Sequence, residues 1–166
     1  MLQFSKMQAL GNDFIILDSR NTQTEPSATM IKKLSHRRLG IGCDQLLYLN
    51  LNASKNHHYH CSIYNADGKR VEQCANGMRC LAQYIDQSLH WPENIAITLD
   101  SGFTTAKIRK DSRGYTTILT YPRYKQLQQL TLADQHFSLH LVDAGNPHAI
   151  IFTSNLEHPK LSAWGT

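Results

Sequence analysis

Residues 64–80 read YNADGKRVEQCANGMRC, and this stretch sets the architecture around it. Asn65-Ala66-Asp67-Gly68 carries turn chemistry. From Cys74 onward, Met78, Leu81, Ala82, Ile85 and Leu89 recur at helical spacing, which describes a central helix with one apolar face to be covered by a core. Cys74 stands at the mouth of that helix beside Gln73, Asn76 and Gly77. A helix start presents unpaired backbone N–H groups and a partial positive charge, which bind a carboxylate and lower the pKa of a thiol placed there. Cys74 is therefore the first candidate for chemistry, while Cys80, inside the helix, is assigned to packing.

Upstream, Leu2 to Met7 and Phe14 to Asp18 read as strands flanking the turn-like Gly11-Asn12-Asp13. Pro26 and Ser27 supply helix-start chemistry, and Met30, Ile31 and Leu34 form an apolar stripe. The basic residues Lys32, Lys33, Arg37 and Arg38 read as a solvated helix face. Gly40-Ile41-Gly42 breaks this helix, and Leu46–Leu51 and Tyr59–Tyr64 are expected strands. Downstream, Pro92 stops the central helix, and Ile95–Leu99, Phe103–Arg109 and Tyr115–Tyr121 follow as strands joined by turns. The pattern predicts an α+β fold, an antiparallel and barrel-like sheet wrapped around a central helix. A boundary near Tyr121-Pro122-Arg123 divides a first domain, residues 1–121, from residues 122–166. The latter comprise a polar segment, Lys125 to Gln135, then strands Phe137–Val142 and Ala149–Phe152 around Gly145-Asn146-Pro147-His148. So short a segment lies below the size at which a core usually stabilises itself, so it is expected to be the beginning of an incomplete second domain.

At 166 residues, 41% hydrophobic and 18% charged, the chain can bury a real core and lacks the composition of a disordered protein. The formal charge of +4 is dispersed, which gives nucleic-acid binding no support. No basic leader precedes an apolar run and no membrane-length apolar segment occurs, so a cytoplasmic protein without membrane partners is expected. The spacings of Cys43, Cys61, Cys74 and Cys80 match no secreted disulfide framework, and reduced thiols are the reading.

A thiolate at Cys74 can act as nucleophile or as general base. The nine histidines leave a Cys-His nucleophile open. A base working on a carbon acid needs its substrate's carboxylate held by N–H donors, and Cys74-Ala75-Asn76-Gly77 at a helix start offers both parts. His57, His58 and His60 with Cys61 superficially suggest metal ligands, but strand alternation separates His58 and His60 from Tyr59 and Cys61, and no metal site is expected.

The segments FSKMQALGNDF, RRLGIGCDQLL, YNADGKRVEQCANGMRC and AGNPHAI resemble, in order and character, those of diaminopimelate epimerase, an amino-acid epimerase of bacterial lysine and cell-wall precursor synthesis. The resemblance implies interconversion of L,L- and meso-diaminopimelate by two cysteines without pyridoxal phosphate or any other cofactor. One thiolate removes the α-proton and a thiol on the opposite face returns one. By motif position, Cys74 matches the first cysteine and His148 a histidine supporting the reacting centre. Asn12, Gln45, Asn65 and Asn146 fall where the family binds the substrate's polar ends, and Ala75 and Asn76 where helix-start amides hold the α-carboxylate. Asn12 and Asn65 equally suit turns, where asparagine caps backbone groups.

The family ordinarily has glycine where this chain has Ala75, whose methyl crowds a carboxylate pressed to the backbone. Gln8 and Ala9 replace the family's histidine and glycine before the LGND turn. Family members are longer and place the second cysteine in a second domain, whereas no cysteine follows Cys80 here. The chain is thus expected to be inactive alone and to need a carboxy-terminal half or a second subunit, a homodimer being one form. Two alternatives stand beside this reading: a racemase of another amino acid on the same scaffold, and a catalytically dead carboxylate-binding or assembly module.

Overall fold

The computed structural model describes residues 2–22, 24–50, 58–89, 95–99, 105–112, 114–118, 121–132 and 135–154. The chain folds as two compact units, residues 1–120 and 121–166. The first is built from strands β1 (Ser5–Ala9), β2 (Asn12–Asp18), β3 (Gln45–Asn50), β4 (His58–Asn65), β5 (Arg70–Val71), β6 (Ile95–Leu99), β7 (Thr105–Asp111) and β8 (Gly114–Ile118). Its helices are α1 (Ala28–Ser35) and α2 (Ala75–Leu89). Among the described residues these strands form one sheet in the order β1-β2-β3-β4-β6-β7-β8, with β5 paired to β4.

Most neighbours run antiparallel, as the sequence predicts, but β2 pairs β3 and β4 pairs β6 in parallel. A parallel pair needs a crossover, and each of these has a helix to make it. The chain runs β2-α1-β3 and then, in the reversed strand direction, β4-α2-β6. Right-handed crossovers advancing the same way from oppositely directed strands place their helices on opposite faces. The packing agrees. Phe14, Ile16, Leu47, Leu49, Cys61 and Ile63 pack with Met78, Leu81, Ala82 and Ile85 of α2, whereas Ile15, Leu17, Leu46, Tyr48 and Tyr64 pack with Ile31 of α1 and Cys43. Two covered faces explain why Phe14 to Leu17 is apolar without alternation. Full burial of Met78, Leu81 and Ile85 contributes roughly 1.5–3 kcal/mol each.

The β1–β2 hairpin turns through Leu10 (φ 51) and Gly11 (φ 89), between Ala9 and Asn12, which face each other. Two successive left-handed residues are the type I′ geometry that matches strand twist. Helix α1 begins at Ser27, whose hydroxyl accepts from the Met30 amide at 3.3 Å. It ends at Ser35, earlier than the glycines that the sequence marks as its break. There the His36 ring accepts from the amides of Arg38 (3.2 Å) and Leu39 (3.0 Å) and turns the chain. The expected basic helix face is corrected accordingly: Arg37 and Arg38 lie beyond the helix. Pro92, Phe103 and Leu51 fall outside the described residues, as does the side chain of Leu89.

In the second unit, β9 (Arg123–Leu132), β10 (Gln135–Asp143) and β11 (Pro147–Ile150) form an antiparallel sheet in the order β11-β10-β9. The polar segment expected from Lys125 is therefore a strand. Its leucines, at 127, 130 and 132, do not keep a single two-residue period, and it is held by cross-strand partners: Lys125 with Asp143 at 3.1 Å, Gln129 with Ser138 at 3.2 Å and Thr131 with His136 at 2.9 Å. A register shift between Leu141 and Val142 further blurs the pattern.

Burial pushes three thiols up: Cys43, Cys74 and Cys80, the last from 9.0 to about 11. A raised folded-state pKa contributes stability that is fully present below the unfolded value and lost as pH rises through the folded one. The denaturation midpoint is expected to fall between pH 9 and about 11. A urea titration series across that range checks it, and Cys80→Ala should flatten the slope.

Candidate active site

Four elements of the first unit end at one edge of the sheet. Asn12 opens β2 and Gln45 opens β3, with Phe14 facing Gln45 across the parallel ladder. Asn65 closes β4 directly opposite Gln45. From there the chain turns through Gly68 (φ 82), pairs briefly as β5, and enters α2 at Cys74.

Cys74 is the N-cap of α2. Its carbonyl accepts from the Met78 amide at 3.0 Å, and its Sγ accepts from the Gly77 amide at 3.3 Å. The sulfur thus occupies the position of a capping oxygen, bonded to the third helical amide. Gly77 keeps this contact close: a Cβ there would lie 3.2 Å from Leu47 Cδ2 and 3.4 Å from Cys74 Sγ. The thiol is half-buried against the cluster containing Leu47 and Met78. The expectation of a lowered pKa is corrected on this point. Burial, the largest influence, pushes the Cys74 thiol up, and hydrogen bonds from the Gly77 and Asn76 amides pull it down by less.

Ala75 is the first residue of α2 and Asn76 the second. The Asn76 side chain donates Nδ2–H to Asn12 Oδ1 at 2.9 Å, joining residues 64 apart, and its Oδ1 accepts from Arg79 at 2.8 Å. Asn12 donates to Asp44 Oδ2 at 3.3 Å, so its side chain spans elements and does not cap its own turn. Asn65 also reaches across elements with its side chain, and only its backbone serves the turn. Its carbonyl accepts from the Gly68 amide at 2.9 Å, and its Oδ1 accepts from Gln45 Nε2 at 2.9 Å. Asn12 with Asn76 and Gln45 with Asn65 are thus two amide pairs at one edge.

Asn146 and His148 belong to the second unit. They flank the entry to β11, where the Gly145 amide donates to Asp143 Oδ1 at 3.0 Å and His148 Nδ1 lies 3.0 Å from the Asn146 carbonyl oxygen. His148 is exposed. Of the histidine cluster, His57 lies outside the described residues. Cys61 packs with the α2 cluster, and His60, one residue away on β4, falls on the other face.

An ion network escaped the sequence reading. Asp13 accepts from Lys6 at 2.7 Å, from both terminal nitrogens of Arg37 at 3.0 and 2.8 Å, and from the Asp44 amide at 2.9 Å. Asp44 accepts from Arg37 at 2.7 Å and from the Asp13 amide at 3.0 Å. Lys6 also donates to the Gly42 carbonyl. The fork of Arg37 holds the Asp13 carboxyl well below the usual carboxylate range. Every member lies within the segments FSKMQALGNDF and RRLGIGCDQLL, and that co-location was the available signal.

The fold is shared with solved structures that are titled epimerases. A predicted epimerase of Pseudomonas aeruginosa superimposes on 91% of this chain and 59% of its own, with TM-score 0.64 and 8% identity. A hydroxyproline epimerase from Agrobacterium vitis does so over 89% of this chain and 50% of its own, with TM-score 0.64 and 11% identity. Sequence narrows the class: the family model for diaminopimelate epimerase matches residues 4–121, and the chain belongs to that family. It is 33% identical to the diaminopimelate epimerase of Nitrosospira multiformis over 99% of its length, and it spans 63% of the length of that relative.

Proposed function

We propose that Cys74 is the base of an amino-acid epimerase acting on diaminopimelate, in the supply of lysine and cell-wall precursors. The observation that carries this reading is the sulfur's place at the α2 N-cap, at the sheet edge that gathers two amide pairs. A substrate α-carboxylate at the amides of Ala75 and Asn76 would meet N–H donors and the helix's positive end. Its Cα–H would then face a sulfur already held by an amide donor. When the thiolate takes the proton, the Gly77 N–H that stabilised negative sulfur is released from that load, while the helix start stabilises charge developing on the carboxylate. Inversion needs a proton delivered from the other face. We assign that acid to polypeptide beyond this chain's four cysteines, and residues 122–166 to the opening of a second, similar domain.

Incubating the chain with L,L-diaminopimelate in deuterated water, alone and with a polypeptide matching the remaining third of a curated relative, tests the proposal. Deuterium at the α-carbon and meso product in the complemented sample are expected. Neither appearing in that sample overturns it.

The burial-raised thiol is the one observation favouring a second reading, a carboxylate-binding module without turnover. Alkylation separates the two: a Cys74 protected from iodoacetamide by diaminopimelate, in a complemented sample that shows no exchange, supports the module.

Ala75 bears on substrate fit. Ala75→Gly removes a methyl from the amide that meets the carboxylate and is expected to tighten diaminopimelate binding severalfold. It costs stability up to ~1 kcal/mol through backbone entropy. Calorimetric titration and thermal melts read the two effects.

A further inference from the structure

A carboxamide is nearly the same shape turned over, so its donor and acceptor ends exchange unless its partners forbid it. Three hydrogen bonds here run in series: Arg79 to Asn76 Oδ1 at 2.8 Å, Asn76 Nδ2 to Asn12 Oδ1 at 2.9 Å, and Asn12 Nδ2 to Asp44 Oδ2 at 3.3 Å. A guanidinium only donates and a carboxylate only accepts. The series therefore has one direction, and turning either asparagine over would set donor against donor and acceptor against acceptor. We propose that Arg79 and Asp44 are positioning residues that fix which way the side chains of Asn12 and Asn76 face the bound substrate.

Both ends are anchored. Arg79 sits on α2 one turn beyond Asn76, half-buried. Asp44 is held by Arg37 through Oδ1 and by the Asp13 amide through Oδ2, which ties the acceptor end to the start of β2. Each asparagine keeps one N–H unspent within the series, and its aim is set by residues that need not touch the ligand. Hydrogen-bonded series also polarise in one sense, so the charge at each end strengthens the links between.

The inference rests on the proposed site for its link to substrate, but its structural content is measured separately. In 15N-labelled protein, the side-chain NH2 signals of Asn12 and Asn76 are followed in Arg79→Met, Arg79→Lys and Asp44→Asn. Methionine keeps helix propensity and removes the donor. Arg79→Met is expected to shift the Asn12 signals, two links away, as well as those of Asn76, and Arg79→Lys to restore both toward wild type. Asp44→Asn approaches from the other end and is expected to shift Asn76. In the complemented enzyme, Arg79→Met should raise KM for diaminopimelate about tenfold, the loss of roughly one aligned hydrogen bond, with kcat changed less. Asn12 signals unmoved in Arg79→Met, or Asn76 signals unmoved in Asp44→Asn, overturn the proposal. If the signals move together in the variants but diaminopimelate perturbs none of them in wild type, the positioning role stands and the proposed substrate falls.

Discussion

Cys74→Ser is expected to cut α-proton exchange in the complemented protein by roughly 10²–10⁴-fold, the usual worth of a positioned acid or base, while stability changes by less than ~1 kcal/mol. The two expectations separate because serine is a good N-cap: its hydroxyl can take over the Gly77 amide bond now made by sulfur at 3.3 Å. What serine cannot supply at accessible pH is an oxygen anion. Wild-type exchange should therefore rise with pH, about tenfold per unit while the thiol stays protonated. Because burial pushes the Cys74 thiol up, the rise should continue past the pH at which an unburied cysteine would level off. Bound carboxylate adds negative charge and extends it further. Mass-spectrometric deuterium incorporation against pH measures both points. Exchange persisting in Cys74→Ser at the wild-type rate would remove this sulfur from the chemistry.

Gly40→Ala is expected to be the most damaging added methyl among the described glycines Gly11, Gly40, Gly42, Gly68, Gly77 and Gly114. A Cβ at residue 40 would run into the Lys33 carbonyl oxygen and lie 2.8 Å from that of Leu34. These are backbone atoms of the last turn of α1, and they cannot swing aside as a side chain can. The Leu34 carbonyl is also committed, accepting from the amides of Ile41 and Gly42, each at 2.9 Å. Relief requires moving the segment that carries Arg37 and Asp44, so the damage extends to the ion network beneath Asn12. A cost of about 1–3 kcal/mol or more follows, a fall in Tm of roughly 3–10 °C for a protein of this size. Gly11→Ala is the comparison: its added methyl meets nothing within 4 Å, although φ is +89°, so only the left-handed backbone is penalised, by about 1–2 kcal/mol. Thermal melts of the two variants rank them, and equal shifts would show that the α1 terminus yields more easily than its packing implies.

Helix α2 was legible in the sequence because Met78, Leu81, Ala82 and Ile85 report burial by periodicity alone, and Cys74, four residues before Met78, carries that stripe back to the helix start. Strand β2 was legible because four consecutive apolar residues suit a strand covered on both faces. The parallel pairings were not, since each strand's own pattern is the same whichever neighbour it adopts. Strand β9 hid behind glutamines, its stability coming from partners on β10. At the site, the resemblance implied ligand roles for Asn12, Gln45, Asn65 and Asn76, but nothing in a linear reading pairs Asn12 with Asn76. Arg37 looked like part of a helix face until the chain turned at His36. The sign of the shift at Cys74 depends on how deeply Leu47 and Met78, from β3 and from within α2, bury the sulfur, and spacing carries no such quantity.

The two crossover segments also bear on how the molecule assembles. Residues 12–50 and 58–99 each close a helix onto a parallel pair, and the β3–β4 ladder stitches them together. Asn12 and Gln45 come from one segment, Asn65 and Asn76 from the other. Contacts between residues far apart in sequence form after the loops between them have closed, so neither amide pair exists until both segments have docked. Appearance of the Asn12–Asn76 link during refolding would thus be a clock for the last stage of the reaction, set by topology and independent of whether any ligand is present.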